Sequence, residues 1–297
     1  DEVEARPADG GGQRSVEGRP VAGPVVGRAA QRGDVGEVEG DGPALLLLHG
    51  FTGSTSTMWP LGRTLTGRRT VLAVDLPGHG RTGLLEPPDH RFESTLDALV
   101  RVLDQRDLGQ VDVCGYSMGG RLALGLAIRH PERVRSTVLI GSTAGIASDA
   151  ERAARRRADA DLADELLERG LEWFVDHWMD LPLFASQQRL GARTLAEARE
   201  QRLANDPDGL AASLLGSGTG SQPSFWGELD AVLGPVLLVV GEEDARYRRL
   251  AFRLASGLVD AGIQVIAEAG HAAHVENLPA VEGAVVSFLD DVDRSAA

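Results

Sequence analysis

One stretch, Val111–Leu124, places a serine at a sharp turn between a strand and a helix, and this turn constrains the fold more than any other part of the chain. The apolar run Val111–Cys114 leads into Gly115-Tyr-Ser117-Met-Gly119, and an alanine- and leucine-rich helix begins at once. A serine in such a turn has a strained backbone, and the residues two before and two after it approach other backbone so closely that only glycine fits. The pattern also arises by chance in a chain with 37 glycines. The flanking strand and helix supply the context it requires, and the sequence therefore predicts a nucleophile elbow.

Apolar runs of strand length alternate with helical segments on both sides of this turn. The other predicted strands are Ala44–Leu48, Thr70–Val74, Ser136–Ile140, Pro235–Val240 and Ile263–Ala267. Continuous apolar runs are typical of strands buried on both faces of a mainly parallel sheet. The alternation predicts a doubly wound α/β fold whose ligand site lies at the carboxyl edge of the sheet.

Three regions differ in their sequence pattern. The alternation of strands and helices stops between residues 143 and 234, which read as helices joined by polar connections. We predict a helical lid there, inserted into a core formed by residues 41–142 and 235–297. Residues 1–40 are rich in Gly, Glu, Arg and Pro and contain scattered valines near their end. This composition predicts a disordered tail followed by a weak edge strand.

Composition excludes several classes of function. The formal net charge of −14 argues against nucleic acid or an anionic membrane as a partner. All basic residues other than histidine are arginine, so Schiff-base chemistry on a lysine is excluded. No run approaches the roughly eighteen apolar residues of a membrane helix, and the first residues lack the apolar core of a signal peptide. The single cysteine, Cys114, is expected to be a buried thiol. We therefore expect a cytoplasmic protein without membrane insertion, metal or cofactor, and the oligomeric state stays open.

A catalytic serine needs an imidazole that accepts its proton and an acid that orients the imidazole. On this kind of sheet the acid and then the histidine follow the serine along the chain, each in a loop after a strand. Asp244 follows the strand that ends at Gly241, and His271 follows the last predicted strand. We predict a triad of Ser117, Asp244 and His271.

Other residues could take two of these roles. The alternatives are His274 for the base, and Glu242, Glu243 or Asp75 for the acid. We favour His271 because Gly270 before it allows a tight approach. Asp244 is favoured over the two glutamates because adjacent carboxylates are typical of solvated positions.

Two backbone N–H groups are predicted to form an oxyanion hole. Met118 begins the helix after Ser117, and Phe51 follows His49-Gly50 at the end of the first long strand. Arg121 lies four residues after Ser117, and a guanidinium so close to a catalytic serine favours an anionic substrate group. In a chain without lysine, arginines also fill ordinary solvated positions, so from chemistry alone this role of Arg121 stays open.

The motifs taken together resemble those of the α/β hydrolases. They are Leu48–Gly53, Asp75–Gly80, Gly115–Arg121, Glu242–Tyr247 and Gly270–His271. More narrowly, the elbow and three segments of the predicted lid are similar to the 2-succinyl-6-hydroxy-2,4-cyclohexadiene-1-carboxylate synthase family of menaquinone biosynthesis. The lid segments are Glu151–Asp159, Trp178–Ser186 and Gly218–Trp226, and the similarity runs from about Ala44 to Leu289.

The resemblance implies a carbon–oxygen lyase that eliminates pyruvate from a small polycarboxylate substrate, with Ser117 acting as the base. It also implies that Arg121, Arg155 and Arg202 hold the substrate carboxylates, with Trp178 and Tyr116 beside them. An alternative is a serine hydrolase of the same fold, either a carboxylesterase or a carbon–carbon bond hydrolase. An intact Ser117 and the histidine and acid predicted beside it disfavour a non-catalytic binding protein.

Overall fold

A single seven-stranded sheet organises the residues that the computed structural model describes, 36–83 and 90–296. The strand order is β1-β3-β2-β4-β5-β6-β7. The strands are β1 Gly36–Glu39, β2 Ala44–Leu48, β3 Thr70–Val74, β4 Val111–Tyr116, β5 Val134–Ile140, β6 Val236–Gly241 and β7 Ala261–Ile266. β1 pairs antiparallel with β3, and every other pairing is parallel. The predicted α/β fold is confirmed.

The predicted tail falls almost wholly on residues 1–35, which lie outside the described residues. β1 begins directly after them, in the stretch for which a weak edge strand is predicted. Its four residues pair only with β3, so it occupies one edge of the sheet.

Helices cover both faces of the sheet. They are α1 Thr55–Leu65, α2 Phe92–Asp104, α3 Met118–Arg129, α4 Asp149–Arg169, α5 Leu171–Met179, α6 Gly191–Leu203, α7 Pro207–Ser217, α8 Ala245–Ala255, α9 Ala273–Glu276 and α10 Leu278–Ala296. One face buries α1 and α10 through residues such as Leu61 and Val285. The other face buries α2, α3 and α8 through residues such as Leu99, Leu122 and Leu254. No helix in 36–83 or 90–296 is long and apolar enough to cross a membrane.

Helices α4 to α7 lie between β5 and β6, in the segment for which a lid is predicted. We call residues 143–234 the helical insertion. It has a small apolar core of its own, in which Leu166, Phe174 and Leu210 are fully buried. The insertion also bonds to loops of the sheet, because the amide of Asn205 donates to the carbonyl oxygen of Thr52 at 3.0 Å.

Candidate active site

Ser117 occupies the turn between β4 and α3 in a backbone conformation that few residues other than glycine adopt. Its φ is 50° and its ψ is −105°. A Cβ added at Gly115 would lie 2.2 Å from the carbonyl oxygen of Gly119, and a Cβ added at Gly119 would lie 2.1 Å from that of Leu48. Close backbone approach therefore requires both glycines. The turn sets the Ser117 hydroxyl at the N-terminus of α3, at the carboxyl edge of the sheet.

His271 lies between Ser117 and Asp244. Its Nε2 is 3.1 Å from Ser117 Oγ, and its Nδ1 is 2.8 Å from Asp244 Oδ2. Because a carboxylate accepts hydrogen bonds, Nδ1 carries the proton that is donated to Asp244. Nε2 is then the acceptor for the Ser117 hydroxyl. The structure thus brings together the three residues of the predicted triad, in a geometry that can make the hydroxyl basic.

The two oxygens of Asp244 have separate tasks. Oδ2 accepts from His271, and Oδ1 accepts the backbone N–H of Tyr247 at 3.0 Å, which caps the N-terminus of α8. The helix therefore fixes the carboxylate, and the carboxylate fixes the imidazole.

The alternative acids and base have other partners. The carboxylate of Asp75 accepts the backbone N–H groups of Thr55 and Arg81 at 2.7 and 3.0 Å. Glu243 pairs with Arg189 at the surface. The ring of His274 packs against that of Tyr116 at an angle of 50°, with ring centroids 4.3 Å apart, and burial lowers the pKa of His274 to about 3. Among the described residues, only His271 is hydrogen-bonded to the hydroxyl of Ser117.

The loop after β2 presents Phe51 to the same edge. His49 Nε2 accepts the backbone N–H of Leu76 at 3.0 Å, so its Nδ1–H donates to the carbonyl oxygen of Gly50 at 2.8 Å. These two bonds fix the loop just before Phe51. Met118 is the first residue of α3, and neither its N–H nor that of Phe51 has an acceptor among the described residues. Two unpaired N–H groups beside Ser117 suit the binding of an oxyanion.

A cavity of about 720 Å³ opens over Ser117, between the sheet edge and the helical insertion. Arg121 and Arg155 both line it. Arg121 is buried and donates from Nη1 to the carbonyl oxygen of Ser217 and to the side chain of Gln222. Burial lowers the pKa of the Arg121 guanidinium to about 10, so it remains a cation at neutral pH. Arg155 is half-buried, and its Nε donates to Asp159 at 2.7 Å.

Arg202 lies in a neighbouring cavity of about 280 Å³. The two cavities share Phe51 and Tyr116 in their linings. The Nη1 of Arg202 donates to the carbonyl oxygen of Ala198, its Nε has no partner in the described residues, and burial lowers its pKa. The structure therefore does not gather all three predicted arginines in one cavity, because Arg202 stands beyond Tyr116. The predicted Trp178 does line the larger cavity and contacts Phe51 at 5.0 Å between ring centroids.

Tyr247 is a cavity residue that the sequence reasoning missed. Its ring centroid is 4.4 Å from that of His271, and its hydroxyl has no hydrogen-bond partner within 36–83 and 90–296. Burial raises the pKa of the phenol, while Arg246, Arg121 and Arg155 act in the opposite direction. Tyr247 and these three arginines line the same cavity. The sequence contained a signal for this position. Tyr247 follows Asp244 by three residues, which places it in the first turn of the helix that begins after the predicted acid.

Several known proteins resemble this chain in fold and in amino-acid sequence. Residues 43–278 match the family model described as alpha/beta hydrolase fold. The putative 2-succinyl-6-hydroxy-2,4-cyclohexadiene-1-carboxylate synthase of Bacillus subtilis (strain 168) is 40% identical over 84% of this chain and 91% of its own length. The chain belongs to this synthase family of α/β hydrolases.

Two further comparisons agree with membership in the synthase family. The 2-succinyl-6-hydroxy-2,4-cyclohexadiene-1-carboxylate synthase of Salmonella paratyphi C is 31% identical over 83% of this chain and 94% of its own length. The solved structure of MenH from S. aureus is 30% identical, with a TM-score of 0.84 over 88% of this chain and 99% of that chain. The resemblance predicted from the motifs is therefore confirmed for this synthase family.

Proposed function

We propose that the chain is a carbon–oxygen lyase of menaquinone biosynthesis. Its substrate is 2-succinyl-5-enolpyruvyl-6-hydroxy-3-cyclohexene-1-carboxylate, and its products are pyruvate and 2-succinyl-6-hydroxy-2,4-cyclohexadiene-1-carboxylate. The observation that carries this proposal is the hydrogen-bonded chain of Ser117, His271 and Asp244, which opens into a cavity lined by arginines. Membership in the synthase family agrees with it.

Arginines near the serine match the charge of this substrate. The molecule carries three carboxylates, on the ring, the succinyl group and the enolpyruvyl group. Arg121 and Arg155 line the cavity that contains Ser117, and a guanidinium can bind a carboxylate through two parallel hydrogen bonds. Arg202 adds a cation from the far side of Tyr116, while Trp178 and Tyr116 supply apolar surface for the ring.

Ser117 acts as the base in the first step. The hydrogen on ring carbon 2 is acidic because it is next to the succinyl carbonyl. Ser117 Oγ takes this proton as its own hydroxyl proton passes to Nε2 of His271, and Asp244 orients the imidazole. The negative charge moves onto the succinyl oxygen, where the N–H groups of Phe51 and Met118 stabilise it.

Elimination follows from the same enolate. Its electrons form the new ring double bonds as the bond between ring carbon 5 and the enolpyruvyl oxygen breaks. The departing enolpyruvate takes up a proton and becomes pyruvate, so the proton removed at carbon 2 is balanced by the one delivered to the leaving group. No acyl enzyme forms and no water is consumed.

The test is to measure pyruvate release from this substrate by coupling it to lactate dehydrogenase. Ser117→Ala should lower kcat by about 10²–10⁴-fold, which is the contribution typical of a positioned base. Ser256→Ala is the matched control, because that serine is exposed and, among the described residues, its hydroxyl donates only to the carbonyl oxygen of Arg253. The wild-type chain is also offered p-nitrophenyl esters. Rapid ester cleavage without pyruvate release would instead establish the serine hydrolase.

A further inference from the structure

Three arginines lie on one face of α8, at the opening of the cavity over Ser117. Arg246, Arg249 and Arg253 are spaced three and four residues apart, which places them in a row along the helix. All three are exposed, and all three line the cavity. We call this row the arginine ladder.

The ladder is not neutralised within the part of the chain that the structure describes. None of its members forms an ion pair there, whereas Arg189 and Arg199 pair with Glu243 and Asp176. Arg253 is held in place differently, because its guanidinium lies 3.9 Å from the ring centroid of Trp226. A cation that stacks on an aromatic ring keeps its donors free for an anion.

The whole cavity carries an excess of positive charge. Five arginines and two carboxylates line it, which gives a formal excess of three positive charges. The arginines are Arg121, Arg155, Arg246, Arg249 and Arg253, and the carboxylates belong to Glu151 and Asp159. The complete chain has a net charge of −14, so its general surface repels a polyanion. The cavity lining is therefore opposite in charge to the chain as a whole, which favours binding of a tricarboxylate there.

We propose that the arginine ladder is an entry site for polycarboxylates, which engages the carboxylates of the incoming substrate before they reach Arg121 and Arg155. This inference rests on the proposed function for the identity of the natural ligand. The ladder raises the rate of productive encounter and contributes little to the chemical step. Charged groups at the rim of a cleft act mainly on association in this way.

The dependence of kcat/KM on ionic strength distinguishes an entry site from an ordinary solvated helix face. The ladder is exposed, and charges in solvent are screened over about 8 Å at physiological ionic strength. Its effect should therefore be large at low ionic strength and small at high ionic strength. The neighbouring Arg248 donates from Nη1 to the carbonyl oxygen of Glu242 and does not line the cavity. It gives a control with the same helix and the same change in net charge.

The central comparison is between Arg249→Gln and Arg248→Gln in the pyruvate-release assay. At about 20 mM ionic strength, Arg249→Gln should lower kcat/KM about threefold, and the double variant R246Q/R249Q about tenfold. At about 0.5 M these differences should fall below about twofold, because screening removes the attraction. Arg248→Gln should follow the wild-type chain at both ionic strengths. Equal kcat/KM for Arg249→Gln and Arg248→Gln at low salt would overturn the proposal.

A second measurement does not depend on turnover. Propane-1,2,3-tricarboxylate is titrated into the Ser117→Ala variant, with binding followed by tryptophan fluorescence, since Trp178 and Trp226 line the cavity. Adding R246Q/R249Q should raise its Kd about tenfold at low salt, and adding Arg248→Gln should not. The trimethyl ester of the same compound should not distinguish the variants. If the tricarboxylate bound with the same Kd to the Ser117→Ala variant with and without R246Q/R249Q, the ladder would not be an entry site. If the wild-type chain released no pyruvate, the proposed function would be wrong. The titration would then still test whether the ladder binds polycarboxylates.

Discussion

At the scale of single residues, the surroundings of the Tyr247 hydroxyl predict a role in substrate binding. The ring packs against His271, while the hydroxyl is unpaired in the described residues and Tyr247 lines the same cavity as Arg121 and Arg155. A phenol beside two guanidinium groups can donate to the carboxylate that they bind. We therefore predict that Tyr247 has two separable contributions, one from the hydroxyl and one from the ring.

Tyr247→Phe should raise KM for pyruvate release about tenfold, because a hydrogen bond to a charged group contributes about 1.5–3 kcal/mol. Its kcat should stay within about twofold, since the ring remains against His271. Tyr247→Leu removes the ring as well and should lower kcat in addition. Steady-state kinetics of both variants test this. An unchanged KM in the phenylalanine variant would mean that the hydroxyl does not touch the substrate.

The buried His274 makes stability depend on pH in a defined direction. Its pKa in the folded chain is about 3, compared with an ordinary value of 6.5. Between these values the unfolded chain binds a proton at this position and the folded chain does not. The contribution of His274 is therefore complete above pH 6.5 and is lost progressively as the pH falls towards 3. Between pH 6.5 and pH 5 the loss amounts to about 2 kcal/mol.

Replacing this histidine by glutamine should flatten the pH dependence of stability. In thermal melting, the drop in Tm between pH 7 and pH 5 should be about 5 °C smaller for His274→Gln than for the wild-type chain. Burial also lowers the pKa of His49 and His79, but these residues act equally in both proteins and cancel in the comparison. His177→Gln is the control, because that histidine is exposed on α5. A parallel pH dependence for His274→Gln and the wild-type chain would show that this site does not contribute.

At the scale of helices and strands, the sequence predicts an element best where its local pattern is compatible with only one type of secondary structure. The runs Ala44–Leu48 and Thr70–Val74 become β2 and β3 with the predicted bounds, because both are continuous apolar runs that the sheet buries on both faces. The position of His271 is predictable for a related reason. Loops that follow parallel strands all reach the same edge of the sheet, so the order of the elements brings them together.

The sequence predicts less well where the outcome depends on neighbours. β7 is predicted over Ile263–Ala267 and observed over Ala261–Ile266, because an edge strand is buried on fewer sides and has a weaker pattern. Which cavity Arg202 faces depends on how α6 packs beside Tyr116, and no local pattern contains that information.

At the scale of the whole molecule, the cavity exists because the helical insertion is held against the sheet edge. Hydrogen bonds and an aromatic contact hold it there. Arg121 on α3 bonds to Ser217 and Gln222, Asn205 bonds to the loops after β2 and β3, and Phe51 packs against Phe174. We propose that the insertion is a lid whose docking completes the site, because it brings Arg155 and Trp178 into the cavity over Ser117.

Asn205 tests this directly, because it joins the insertion to the loops that hold Phe51 and Asp75. Its amide donates to the carbonyl oxygen of Thr52 at 3.0 Å, and its Oδ1 accepts the N–H of Gly80 at 2.9 Å. Asn205→Ala leaves both groups without these partners, at a cost of about 1–3 kcal/mol for each buried group. The insertion should then open more often, so that trypsin cleaves it faster at its arginines and KM for pyruvate release rises. Asn277→Ala is the matched control, because its amide donates to the carbonyl oxygen of Ala267 and neither residue belongs to the insertion. Mass spectrometry locates the cuts, and equal cleavage of the insertion in both variants would mean that other contacts hold it in place.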